Sequence, residues 1–231
     1  MNGASVITGG ATGIGYAMTA HLLGGGGDVL ICGRREQRLA EAAQSLPGLR
    51  TFSCDVTNAA DRVRLRDYVA ANMPGVTQLV NNAGIQRDID LADASSLEGE
   101  SEIAVNLEAP IALSALFTPL LSGKPGATIV NVSSALAFMV ERATRCPVYC
   151  ATKAGLHAFT IAQRIQLAPL GIRVVELIPP AVESELNMES RVKRGFVTSP
   201  NMLSAADFVA QAFAQMDVGT DEVRVSMKWK D

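Results

Sequence analysis

Ala4-Ser5-Val6-Ile7-Thr8-Gly9-Gly10-Ala11-Thr12-Gly13-Ile14-Gly15 decides the fold. A short apolar run turns into glycines and then into a helical pattern. This strand, turn and helix start lets backbone N–H groups and a helix N-terminus approach a pyrophosphate. Glycine matters because a Cβ would hold the phosphate away or forbid the dihedrals of the turn. Gly9, Gly13 and Gly15 are spaced Gly-x3-Gly-x-Gly, not as the G-x-G-x-x-G of the common dinucleotide fingerprint. Further apolar runs near residues 28–32, 50–54, 77–81, 126–132, 172–178 and 222–226 alternate with helical patterns. Alternation of this kind predicts a parallel sheet with helices on both faces, because each crossover must be long and right-handed.

The expected architecture is therefore α/β: residues 1–231 as a single Rossmann-like domain, doubly wound around about seven strands, with no linker, repeat or low-complexity tract. Its active site belongs at the carboxyl ends of the strands, where Gly9, Asn81, Ser134 and the Pro179-Pro180 pair all fall. A hydrophobic content of 48% supplies a core, and a net charge of -3 argues against nucleic acid or an anionic membrane as partner. The glycine turn begins at residue 9, too near the start for a signal peptide, and polar residues interrupt every long apolar span. A cytoplasmic location is expected. The cysteines Cys32, Cys54, Cys146 and Cys150 form no C-x2-C pair or zinc-type cluster, and no metal is expected.

Tyr149-Cys150-Ala151-Thr152-Lys153 places a phenol and an ammonium four residues apart on a helix. At that spacing the two side chains share a face, about 5 to 6 Å apart at Cβ. A lysine charge about 4 Å away at an effective dielectric of about 20 favours the phenolate by roughly 4 kcal/mol, or about three pKa units, before desolvation is subtracted. That would bring the phenol toward neutral pH, where general acid–base work is most efficient.

The order Thr8, Gly9-x3-Gly13-x-Gly15, Asn81-Asn82-Ala83-Gly84, Asn106, Ser134 and Tyr149-x3-Lys153 resembles the short-chain dehydrogenase/reductase family, from residue 4 to about 186. The wording of Asn82–Arg87, Asn106–Pro110 and Pro147–Lys153 is also similar to its DltE-like subgroup. The resemblance implies that Tyr149 is the acid in carbonyl reduction and the base in alcohol oxidation. Lys153 would lower its pKa and hold the nicotinamide ribose, Ser134 would bind the substrate oxygen, and Asn106 would anchor a water linking Lys153 to solvent. Gly9, Thr12, Gly13, Ile14, Gly15, Asp55, Val56, Asn82, Ala83, Gly84, Pro179 and Val182 would contact the cofactor, with Asp55 accepting from the adenine amine. A homodimer or homotetramer is implied, and the substrate is a small carbonyl or alcohol.

Leu30-Ile31-Cys32-Gly33-Arg34-Arg35 puts glycine where an acid would accept from a ribose 2′-hydroxyl, and two arginines come next. NADP(H) is expected over NAD(H), with Arg34 and Arg35 at the 2′-phosphate. Departures from the family are a longer separation of Ser134 from Tyr149, with Ser133 as an alternative to Ser134, and Pro179-Pro180 where Pro-Gly is usual. These keep two other readings open: a nucleotide-binding regulatory or scaffold protein with little turnover, and an isomerase or dehydratase. Arg87, Arg142 and Arg145 could border the mouth and favour a charged substrate. His21 and His157 lack spaced partners and read as surface or interface residues. Leu107, Ile111, Ser114, Leu116 and Pro119 form a stripe expected to face the sheet or a partner subunit.

Overall fold

A computed structural model describes residues 3–188, 192 and 202–225. Its strands are β1 (Ala4–Thr8), β2 (Asp28–Gly33), β3 (Arg50–Ser53), β4 (Val76–Asn81), β5 (Thr128–Val132), β6 (Arg173–Ile178) and β7 (Glu222–Arg224). All pair in parallel, in the order β3-β2-β1-β4-β5-β6-β7. The expected strands agree to within a residue or two, and the end of the expected seventh, at Ser226, lies outside the described residues. The helices are α1 (Gly13–Gly24), α2 (Glu36–Ser45), α3 (Ala59–Asn72), α4 (Ala109–Leu121), α5 (Pro147–Leu167) and α6 (Ala205–Asp217).

Strands with both faces covered read as unbroken apolar runs, and alternate residues feed two cores. Val6, Leu30, Leu79, Ile129 and Val174 meet Leu65 and Val69 of α3 and Leu113, Phe117 and Leu121 of α4. Ile7, Ile31, Val80, Val130 and Val175 meet Met18 and Leu22 of α1, Leu39 of α2, and Phe208 and Phe213 of α6. Each such fully buried side chain contributes about 1.5–3 kcal/mol. Because the chain runs outward from β1 to β3 and then returns to β4, a crevice opens between the carboxyl ends of β1 and β4.

The segment Ala104–Leu121 is apolar enough, with a mean hydropathy of 1.4, to pass a length-and-composition test for a membrane span. Here its inner face belongs to the core. The inward residues are Ala109, Pro110, Leu113, Ser114, Phe117 and Leu121; of the expected stripe, Ser114 is buried and Leu116 packs against the core, while Ile111 and Pro119 are exposed, so for those two only the partner-subunit alternative remains. Residues Ala104–Glu108 wind as a π-helical turn before α4. The wider turn rotates everything after it relative to an α-helical phase.

Candidate active site

A cleft of about 1430 Å³ lies along the carboxyl ends of the strands. Its floor is backbone. Gly9 and Gly13 have φ of +64° and +54°, and a Cβ on Gly15 would stand 2.3 Å from the Gly9 carbonyl oxygen and 2.5 Å from Asn82 Nδ2. Only glycine leaves this cradle open, and α1 starts within it, so backbone donors and the positive end of a helix face the cleft. Asn82 braces the turn: its Nδ2 donates to Thr8 O at 2.9 Å and Gly9 O at 3.1 Å, while Asn82 N and Ala83 N both donate to Thr8 Oγ1 at 3.0 Å. A pyrophosphate fits this donor set.

At one end of the cleft, Gly33 has open space where a side chain would project. Arg34 pairs with Glu100 at 2.5 Å. Arg35 pairs with Glu185 at 3.0 Å, and Arg38, which no sequence motif singles out, pairs with the same carboxylate at 2.8 Å. All five side chains line the cleft. Asp55 Oδ1 accepts from the Thr57 amide and hydroxyl at 2.9 and 2.7 Å. Burial works to raise this carboxyl, but the bonds from Thr57 and the charges of Arg34 and Arg62 hold it below its ordinary range.

At the other end stand Ser134, Tyr149 and Lys153, all buried. Ser134 closes β5 and caps a short turn, its Oγ accepting from Leu136 N at 3.1 Å. Ser133 instead points its hydroxyl at Leu177 O of β6, 3.4 Å away. Lys153 Nζ donates to Val132 O at 2.8 Å and lies 5.7 Å from the centre of the Tyr149 ring. Asn106 does not line the cleft. It sits fully buried on the π-turn, takes Ile85 N at 2.9 Å, gives to Ile85 O at 2.8 Å, and reaches Thr152 of α5 at 3.2 Å. It thereby fixes the loop after Gly84 against α5.

The expected fall of the Tyr149 pKa toward neutrality is corrected. Burial pushes the phenol above its ordinary value, and the Ser134 hydroxyl offsets only part of that. The same burial lowers Lys153 to about 8. In this dry wall, loss of hydration works against the charged form of both groups.

Every expected cofactor contact lines the cleft: Gly9, Thr12, Gly13, Ile14, Gly15, Arg34, Arg35, Asp55, Val56, Asn82, Ala83, Gly84, Tyr149, Lys153, Pro179 and Val182. Of the three arginines expected to border the mouth, Arg87 lines the cleft. Arg87 spends its guanidinium on the carbonyls of Ser96, Glu98 and Glu100, Arg145 lies outside the cleft, and the Arg142 side chain is outside the described residues. Gln86, Leu136, Leu186, Asn187 and Met188 also line the cleft, and Leu136 and Leu186 pack against the cluster that holds Tyr149. Apart from Gln86, which lies in the Asn82–Arg87 stretch, no sequence motif flagged these, because they reach the cleft from separate loops.

A backbone cradle at the switch point of a parallel sheet marks a dinucleotide-binding α/β protein. The model of the short chain dehydrogenase family matches residues 4–195, and the chain belongs to that oxidoreductase family. It is 42% identical over 225 residues to DltE of Bacillus subtilis (strain 168), described as an uncharacterized oxidoreductase, covering 96% of this chain and 87% of that one. An uncharacterized oxidoreductase of Staphylococcus epidermidis is 30% identical over 79% of each chain. In fold, the chain is similar to a short-chain dehydrogenase from Sphingobium yanoikuyae in complex with NADPH, with TM-score 0.83, 24% identity, and 96% and 87% of the two chains covered. It is equally similar to a short-chain dehydrogenase/reductase from Burkholderia phymatum in complex with NAD, with TM-score 0.85, 20% identity, and 96% and 88% covered.

Proposed function

We propose that the protein reduces a carbonyl, or oxidises the corresponding secondary alcohol, with NADP(H) as partner and Tyr149 as the acid or base. The observation that carries this reading is the convergence of Ser134, Tyr149 and Lys153 at one end of a cleft whose other end offers arginines. The cofactor supplies or accepts the hydride. Tyr149 supplies or takes the proton at the substrate oxygen, and Ser134 donates to that oxygen as negative charge develops. A phenol whose burial keeps its proton on is in the acid form that carbonyl reduction needs. Leu136 and Leu186, packed against the cluster that holds Tyr149, suit a partly apolar substrate.

For the cofactor, the missing acid at Gly33 and the three guanidinium groups of Arg34, Arg35 and Arg38 favour a 2′-phosphate. Exposed Ile103, just before the π-turn, Ile111 of α4, and Ile161 and Ile165 of α5 favour a homodimer or homotetramer closed over these helices. The deciding experiment is a carbonyl and alcohol panel run with both cofactors. Stoichiometric NADPH consumption with at least one carbonyl supports the reading. Binding of NADPH without turnover on any member would replace it with a regulatory or scaffold role.

A further inference from the structure

Glu176 lies in the middle of β6, fully buried, and its Oε1 has no hydrogen-bond partner. A carboxylate left this way is among the costliest groups to hold in a protein interior. Its Oε2 is 2.8 Å from His157 Nδ1 of α5. Glu222 of β7 is its register partner in the parallel sheet, so two carboxylates stand side by side on neighbouring strands. Like charges so placed repel.

Arg224 takes one oxygen of Glu222, Oε1, with bonds of 2.9 and 2.6 Å. No lysine or arginine among the described residues pairs with Glu176. The nearby guanidinium groups are committed elsewhere, Arg164 to Val174 O and Asp221 O, and Arg173 to Asp221 and the carbonyls beside it.

One ligand atom from each of His157, Glu176 and Glu222 lies within 4.8 Å of the others. Nitrogen and carboxylate donors sit about 2.0–2.2 Å from a zinc ion, which in a tetrahedral arrangement places them about 3.3 Å from one another. The His157–Glu176 separation of 2.8 Å is somewhat shorter than that figure, and the remaining separations are no more than 4.8 Å. His157 and Glu222 are only partly buried, so the side chains that must adjust are those with room to do so.

We propose that His157, Glu176 and Glu222 bind one divalent transition-metal ion of the Zn²⁺ class, with solvent completing the coordination. One imidazole and two carboxylates are the donor set such ions accept. None of the three residues lines the catalytic cleft. Tyr149, Lys153 and His157 succeed one another at four-residue steps on α5, so the ion ties the catalytic helix to β6 and β7. It also supplies the positive charge that buried Glu176 lacks.

The test uses the full chain after treatment with a chelator. Added Zn²⁺ should raise Tm by about 5–10 °C at a hundredfold excess over Kd. Co²⁺ should give visible d–d bands that saturate at one ion per chain. His157→Gln and Glu222→Gln, both at partly exposed positions, should remove both effects. An unchanged wild-type Tm, equal shifts in the variants, or a Co²⁺ spectrum dominated by thiolate charge transfer would overturn the assignment, the last by placing the ion on cysteine. Should a variant fail to fold, the wild-type spectrum decides alone.

Discussion

The two ends of the cleft hold charge in opposite ways. At the arginine end, Arg34, Arg35 and Arg38 are about half exposed and already paired with Glu100 and Glu185. At the other end, Tyr149 and Lys153 are buried, and burial shifts both pKa values against the charged form. Exposed ion pairs exchange partners at a cost of about 0.2–1 kcal/mol. A buried ammonium is instead a standing cost to the fold. Affinity should therefore be tunable at one end in small steps, while turnover at the other should respond in large ones.

The largest effect belongs to Tyr149→Phe, which removes the transferable proton and keeps the shape. Turnover should fall by at least about a hundredfold, with cofactor affinity little changed. Near-normal turnover in that variant would break the contrast at its stronger end.

Lys153→Met should separate stability from function. The folded-state pKa of Lys153 is lowered to about 8 from an ordinary 10.5. Between those values the unfolded chain binds the extra proton, so the stability of the native protein rises with pH through that window. Below about pH 8 the full cost of the buried charge is present. Removing the ammonium at pH 7 recovers about 3 kcal/mol, less about 1 kcal/mol for the lost bond to Val132 O. Tm should rise by about 2–8 °C at pH 7, with the gain shrinking toward pH 10, while activity collapses. In the unmutated protein, kcat/KM for reduction should decline above about pH 8 as Lys153 loses its charge. Calorimetry across pH and a pH–rate profile check the pair, and a fall in Tm for Lys153→Met would show that burial does not tax this residue.

What the sequence made legible was local. The glycine turn, the strands and the Tyr149–Lys153 spacing are written in consecutive residues, and each appears where expected. Properties created by distant segments were not legible. The direction of the Tyr149 shift depends on how completely α5 is covered, which spacing does not encode. Glu185 meets Arg35 and Arg38 across the cleft. His157 looked solitary because its partners, Glu176 and Glu222, come from β6 and β7. The stripe on α4 divides, with Ser114 buried and Ile111 and Pro119 exposed, a split set by what packs against the helix and not by residue type. Asn106 was found by motif alone, since nothing in its apolar neighbourhood signals that it would brace Ile85 and Thr152.

The smallest predicted effect probes the exposed end. Glu185 occupies Arg35 and Arg38, with oxygens 3.0 and 2.8 Å from the two guanidinium groups, so a 2′-phosphate entering there must displace a carboxylate that already satisfies both. The displaced pairs are exposed and worth about 0.2–1 kcal/mol. Glu185→Gln removes the competing charge and keeps the shape of the side chain. It should tighten NADPH binding by about two- to fivefold and leave NADH binding unchanged, because a free 2′-hydroxyl does not call on the arginines. The gain should shrink as salt is added, since screening acts on exposed charges first. Titration of the purified protein with each reduced cofactor measures this directly. Equal tightening of both cofactors would mean that Glu185 acts on the shape of the cleft and not on the reading of the phosphate. Weaker NADPH binding would mean that the carboxylate positions Arg35 and Arg38 for the phosphate instead of competing with it.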